Sequence, residues 1–175
     1  MSEVFNWLTF DIIESDNLDL VHLSEQSKLL MITGSGTTAN LLAATTHYLL
    51  KNPDKLANLQ AEVRSAISSR DEITGDAVAH LPYLDGVIEE ERWVGEGFGD
   101  RKEASKPFSL GPRGCLGINL AYMEAGVTMA SLVWKYDLGL VNQDLDWLAD
   151  IRLHLIWEKP KLMVRYYPRD KIATT

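Results

Sequence analysis

The feature that most constrains this chain is a glycine-rich loop, residues 108–117, which holds the only cysteine, Cys115. An apolar stretch with helical spacing, residues 116–134, follows it directly. The thiol is therefore expected at or near a helix N-terminus. There the helix dipole and the free backbone N–H groups favour a thiolate over a thiol. The chain is thus predicted to place a reactive sulfur at the start of a long helix.

The residues around this cysteine suit a flat cofactor. A backbone without Cβ atoms can approach such a ring closely, and the loop contains three glycines, Gly111, Gly114 and Gly117. A thiolate in an apolar, glycine-lined niche is what a cysteine-ligated haem iron needs. Arg113 can reach a haem propionate as a charge-assisted pair, and Phe108 would shield the sulfur side of the ring from water.

Two other interpretations of Cys115 stay open. A lone cysteine is often a small buried hydrophobe that opens a helix. A cysteine-nucleophile enzyme would need a histidine beside the thiol, and no histidine is near it in sequence. The pattern F-x-x-G-x-R-x-C-x-G fixes five positions. A chance match in a chain of this size is on the order of one in ten thousand, which favours the haem interpretation.

Composition narrows the class of protein further. The chain has 175 residues, enough for one domain with a sizeable core, and 46% of them are hydrophobic. The net charge of −8 argues against a nucleic-acid surface, and a single cysteine excludes a disulfide framework. No apolar run is long enough to predict a membrane-spanning segment, and residues 1–10 do not resemble a signal peptide.

The hydrophobic periodicity predicts a mainly α protein with a small β element. Ser24 is the predicted N-cap of a long helix that runs to about residue 50. Pro53 starts the next helix, Thr74 caps a short one, and Pro82 precedes a helix to about residue 91. Further predictions are a short amphipathic segment at 1–13, an irregular stretch at 93–112, a helix after Cys115 to about residue 135, and strands at 151–158 and 162–166.

A run of small and hydroxyl residues, 33–38, lies in the middle of the long helix. Two glycines and three threonines are locally costly in a helix, and threonine can bond back to the carbonyl four residues earlier. Local loosening there could make room for a small ligand such as O₂. Alternatively, small residues at this point allow a second helix to approach closely.

Residues 108–117 resemble the haem-binding loop of the cytochrome P450 family, the haem-thiolate monooxygenases. The resemblance implies that Cys115 is the axial ligand of the iron in haem b, with Phe108, Gly111, Arg113 and Gly117 also contacting the cofactor. Residues 33–38 resemble the family's oxygen-activation motif, A/G-G-x-D/E-T-T. Gly34, Thr37 and Thr38 match it, which implies a catalytic role in proton delivery for Thr37, supported by Thr38. Gly36 stands where the family usually has an acid.

The family resemblance also implies an activity and partners. Electrons would come from NADPH only indirectly, through a reductase, and one atom of O₂ would enter a small apolar organic substrate, as in secondary-metabolite or xenobiotic oxidation. Basic residues before the loop could contact that reductase or simply be solvated: Arg101, Lys102 and Lys106. Family members of the fungal microsomal type are anchored in the endoplasmic reticulum facing the cytoplasm. Because the chain shows no such anchor, the expected location is the cytoplasm or else unknown.

The resemblance is discontinuous along the chain. Residues 81–90 resemble the segment leading into the family's E-x-x-R helix, with Glu90 as its glutamate, whereas residues 91–93 resemble a P-E-R-F/W element that lies several tens of residues further on. Residues 4–13 resemble an early helix, and residues from 23 onward resemble the run into the oxygen-activation helix.

We therefore expect one incomplete P450 domain: an early-helix fragment and linker (1–20), the oxygen-activation and following helices (21–92), and the haem loop, helix and C-terminal hairpin (93–175). The alternative to an active monooxygenase is an inactive truncated remnant that binds haem weakly or not at all.

Overall fold

The computed structural model describes residues 19–89, 106–144, 146–147, 149–154 and 157–169. The chain divides into two compact units, residues 1–37 and 38–175. The predicted segment 1–13, the junction residues 90–93, and Arg101 and Lys102 lie outside the described residues.

The first helix, α1, spans Leu20–Lys51 and carries the 33–38 run within it. It begins earlier than predicted, because Asp19 rather than Ser24 accepts the first N–H groups of the helix. The Asp19 carbonyl accepts the Leu23 N–H at 3.1 Å, and its carboxylate accepts the Val21 N–H at 3.4 Å. In the unit of residues 1–37 the helix has large exposed apolar side chains, Leu29, Leu30, Met31 and Ile32, each 55–67% exposed.

Among the described residues, four further α-helices belong to the second unit: α2, Pro53–Ala66; α3, Gly75–Val78; α4, Pro82–Glu89; and α5, Ile118–Lys135. Helices α2, α3 and α4 pack on α5, and α2 also packs on α4. The core at their contact contains Leu59, Val63, Leu84, Met129 and Val133, all essentially inaccessible to solvent. The second half of α1 adds Leu49 to the same core. Burial of this apolar surface holds the loop-bearing helix α5 in place.

Helix starts and ends that were predicted from local residues are found in the structure. Pro53 occupies the first turn of α2, where a missing N–H costs no hydrogen bond. The Thr74 side chain accepts the Ala77 N–H at 3.2 Å and so caps α3. Helix α5 ends at Lys135, as predicted.

The strands pair differently from the predicted C-terminal arrangement. Strand β1, Tyr136–Leu140, leaves α5 directly and pairs antiparallel with β4, Val164–Pro168, with Leu138 opposite Tyr166. The predicted strand 151–158 is instead two short strands, β2 (Arg152–Leu153) and β3 (Trp157–Glu158), which pair with each other. The sequence missed β1 because its five residues follow an apolar helix without a turn signal. The described residues are otherwise mainly helical with a small β element, as predicted.

Candidate functional site

The loop of residues 108–117 folds back on itself through its own backbone. The Cys115 N–H donates to the Phe108 carbonyl at 2.8 Å, and the Ser109 N–H donates to Lys106 O at 2.9 Å. Between them, Gly111–Arg113 forms a 3₁₀ turn, closed by the Gly114 N–H on the Gly111 carbonyl at 2.9 Å. These bonds fix the cysteine just before α5, as the sequence predicted.

Two glycines of the loop are required by its backbone. Gly111 has φ of 61°, a left-handed conformation that costs a side-chain-bearing residue about 1–2 kcal/mol. A Cβ atom at Gly114 would lie 3.1 Å from the Gly111 carbonyl oxygen, tighter than an ordinary contact. At Gly111 and Gly117 a Cβ would meet nothing within 4 Å, so these two positions face open space.

Cys115 is a free, exposed thiol. This exposure contradicts the interpretation of Cys115 as a small buried hydrophobe. Large apolar side chains near it in the sequence are exposed too; Leu116, next to the cysteine, is 98% exposed. Leu110 lies before it in the loop, and Leu120 and Met123 follow on α5. The thiol is therefore open to solvent, and its neighbours in sequence expose apolar side chains.

The two side chains expected to flank the cofactor are placed differently. The Phe108 ring is half-buried and lies 5.1 Å, between ring centroids, from the Tyr122 ring of α5. Arg113 is exposed at the end of the 3₁₀ turn. Phe108 therefore anchors the loop to α5, while the Arg113 guanidinium is accessible for an anionic partner.

Thr37 lies within α1, and its hydroxyl donates to the Thr33 carbonyl at 2.7 Å. Ser35 and Thr33 make the same bond to the carbonyls of Met31 and Leu29, at 2.6 and 2.8 Å. The back-bonding expected of this run is present, and α1 continues through it as helix. Thr37 belongs to the unit of residues 1–37, whereas half-buried Thr38 and the cysteine loop belong to the unit of residues 38–175.

A buried histidine stands apart from the predicted site. His47 of α1 is 8% exposed and stacks on Trp147, with ring centroids 4.9 Å apart. Burial, assisted by the nearby Lys51 charge and opposed by Asp146, lowers the pKa of His47. The sequence offered no signal for this pair, because its members are far apart in the chain. Among the described residues, no cluster of three or more histidine, cysteine or carboxylate side chains could hold a metal ion.

Comparison with known proteins defines the class. The family model described as Cytochrome P450 matches residues 11–91 and 90–166. The chain therefore belongs to the cytochrome P450 family.

Individual relatives agree with this assignment. Cytochrome P450 monooxygenase ORF9 of Penicillium roqueforti is 32% identical over 212 residues, covering 90% of this chain and 42% of that protein. Cytochrome P450 monooxygenase poxC of Penicillium oxalicum is 34% identical, covering 83% of this chain and 44% of that protein. Cytochrome P450 monooxygenase BOT4 of Botryotinia fuckeliana is 29% identical, covering 91% and 41%. The chain thus spans less than half the length of these relatives.

The matches also locate the internal discontinuity. The two stretches of the family match meet at residues 90–91, where the sequence predicted a junction. The alignment to the Penicillium roqueforti protein runs over 212 residues, longer than this chain of 175, so it contains gaps. Both observations agree with a P450 chain that lacks internal segments.

The loop fits the haem that the family implies. Its thiol is exposed, two of its glycines face open space, and exposed leucines supply an apolar contact surface.

A helix that crosses a membrane must be both long and apolar. Among the helices of the described residues, none combines the necessary length and apolar character.

Proposed function

We propose that this chain holds haem b through the Cys115 thiolate and that it derives from a monooxygenase acting on a small apolar organic substrate. The observation that supports this most directly is the exposed thiol in a closed glycine loop before α5. The thiolate is the form of cysteine that binds metal. When bound, the haem supplies the iron at which dioxygen is reduced and one oxygen atom is transferred to the substrate.

The chain's own residues have distinct roles in this proposal. The Phe108–Cys115 backbone bond holds the sulfur in one position, and the open faces of Gly111 and Gly117 admit the ring. The exposed Arg113 guanidinium pairs with a propionate, a charge-assisted contact that also orients the ring. The apolar side chains beside Cys115 exclude water from the sulfur once they are covered.

In this proposal, the hydroxyl groups of Thr37 and Thr38 on α1 assist proton delivery. The Thr37 hydroxyl commits its proton to the Thr33 carbonyl at 2.7 Å, which leaves its oxygen free to accept from a water molecule. Thr38 would support it. Gly36 has no carboxylate to exchange protons with bulk solvent, so the proton supply is expected to be weaker than in family members that have the acid.

The electron donor we propose is an NADPH-dependent reductase that contacts the cysteine side of the site. Lys106 is exposed at the start of the loop and is available to an acidic partner surface. By family, the full protein is expected at the endoplasmic reticulum membrane.

The decisive experiment is the difference spectrum of the reduced, carbon-monoxide-treated chain after reconstitution with haem. A thiolate-ligated ferrous complex has a characteristic red-shifted Soret band, and we expect the chain to show it. Cys115→Ala should lose that band. The matched control is Leu116→Ala, which removes the neighbouring exposed side chain and keeps the sulfur. A band that survives Cys115→Ala would falsify the ligand assignment.

A second substitution tests the missing acid. Gly36→Glu restores a carboxylate one residue before Thr37, and we expect it to raise the amount of product formed per reducing equivalent consumed. Gly36→Gln is the control, because it adds similar volume without an acid. Equal coupling in the parent and both variants would mean that Gly36 does not limit proton delivery.

A second candidate function is a non-catalytic P450 remnant. The internal junction near residues 90–91 favours it. Failure of the chain to take up haem, with far-ultraviolet circular dichroism showing intact helices, would establish this candidate instead.

A further inference from the structure

His47 is a buried titratable side chain that the proposed chemistry does not use. Its ring is stacked on Trp147 at an interplanar angle of 29°, and the two side chains are 8% and 2% exposed. Among the described residues, its Nδ1 atom is buried without a hydrogen-bond partner. A neutral imidazole tolerates this setting, whereas a protonated ring would carry a buried charge with an unsatisfied donor.

Trp147 belongs to the chain between β1 and β4, which we call the β1–β4 connection, residues 141–163. Its indole N–H donates to the Pro160 carbonyl at 2.9 Å, and this hydrogen bond joins two parts of the connection. Two lysines make further ties between the connection and α1: the Lys51 ammonium donates to Gln143 O at 2.8 Å, and the Lys159 ammonium contacts the Asn40 side chain. His47 lies between these two ties along α1.

The charges facing His47 have opposite signs. Lys51 lies one helical turn further along α1 and opposes a second positive charge, whereas Asp146, on the connection, favours it. Asp146 also accepts the Ala149 N–H at 3.1 Å. The pKa of His47 is lowered mainly by burial and then by Lys51, so these effects outweigh Asp146.

We propose that His47 is a pH-sensitive latch that holds the β1–β4 connection on α1 when the ring is neutral and releases it when the ring is protonated. The direction follows from linkage. A lowered pKa in the docked state means that docking is fully favoured above the ordinary histidine pKa of about 6.5. Docking then weakens as the pH falls toward the lower, docked-state value.

The test is the solvent exchange of indole N–H protons in the full chain, followed by NMR from about pH 7.5 to about pH 5. Trp147→Phe assigns the Trp147 signal. The internal control is Trp134, whose indole donates to Ile67 O at 2.9 Å within the core. After correction for the intrinsic effect of pH, we expect Trp147 to lose its protection while Trp134 keeps it.

Two variants assign the effect to His47. His47→Phe keeps a stacking ring without a titratable nitrogen, and it should abolish the loss of protection at low pH. If that variant does not fold, His47→Gln should abolish the pH dependence in the same way. His80→Phe, at an exposed histidine, should behave like the parent. The proposal is overturned if Trp134 opens together with Trp147, or if the pH dependence persists without His47.

Discussion

The Glu62 carboxylate joins two helices by accepting hydrogen bonds from backbone N–H groups at the start of α4. Its two oxygens accept the N–H groups of Tyr83 and Leu84, each at 2.8 Å, in the first turn of α4. Helix N-termini leave such N–H groups without partners, and their partial positive charge favours a carboxylate. Glu62 lies on α2, so one side chain both caps α4 and fixes it to its neighbour.

Removing this cap should destabilise the fold. We expect Glu62→Ala to lower the free energy of unfolding by about 1–3 kcal/mol, since two half-buried N–H groups lose a charged acceptor. Urea denaturation followed by circular dichroism measures it. Asn58→Ala, at an exposed position of the same helix, is the control and should change stability little. Similar losses in both variants would contradict the capping role.

The end of α5 and the start of β1 form the element that orients the loop-bearing helix. The Arg64 guanidinium donates to the carbonyls of Val133 and Tyr136, at 2.9 and 3.0 Å, and to the Asp137 carboxylate at 2.6 Å. The last carbonyls of a helix have no partner within it, so Arg64 satisfies groups that the turn from α5 into β1 leaves free. Arg169, the residue after the end of β4, does the same by donating to Trp134 O at 2.8 Å.

Substitutions of Arg64 and of Asp137 should lower the free energy of unfolding by different amounts. Arg64→Ala removes bonds to partly buried carbonyls and is expected to cost about 1–3 kcal/mol. Asp137→Ala removes the ion pair and a long, exposed hydrogen bond from the Gln60 amide at 3.5 Å, and is expected to cost less than about 1 kcal/mol. Thermal unfolding of both variants measures the difference. If Asp137→Ala costs as much as Arg64→Ala, the ion pair and not the backbone contact holds this junction.

In the molecule as a whole, apolar surface is unevenly covered. The helical core of the unit of residues 38–175 is buried, whereas the part of α1 in the other unit presents bulky apolar residues such as Leu30 and Met31, both 67% exposed. Large exposed apolar patches on a soluble chain promote association. The relatives are more than twice as long as the matched part, and the internal gap in this chain removes some of the material that they contain.

Replacing exposed apolar residues should improve solution behaviour without harming the fold. We expect Leu30→Gln with Met31→Gln to reduce self-association, measured by light scattering, at an unchanged melting temperature. Leu49→Gln is the contrasting variant, because Leu49 is 1% exposed and its substitution buries an amide in the core. A lowered melting temperature in the double variant would show that these side chains are packed in solution.

Several elements were predictable because their signals are local. Pro53 and Thr74 start their helices through groups within three residues of themselves, and both predictions are confirmed. The prediction of Ser24 as the N-cap of α1 is wrong. The helix already starts after Asp19, and a serine can lie inside a helix as well as at its start. The roles of Arg113 and Thr37 stay predictions.

The family could be recognised from residues that lie within a few positions of one another around Cys115, and the closed turn there depends on its own glycines and backbone bonds. The pairing of β1 with β4, the reach of Glu62 to α4 and the burial of His47 against Trp147 could not. These contacts join segments that are distant in sequence and meet only when the apolar core forms. A residue's immediate neighbours carry no information about such a partner, so the folded chain alone reveals it.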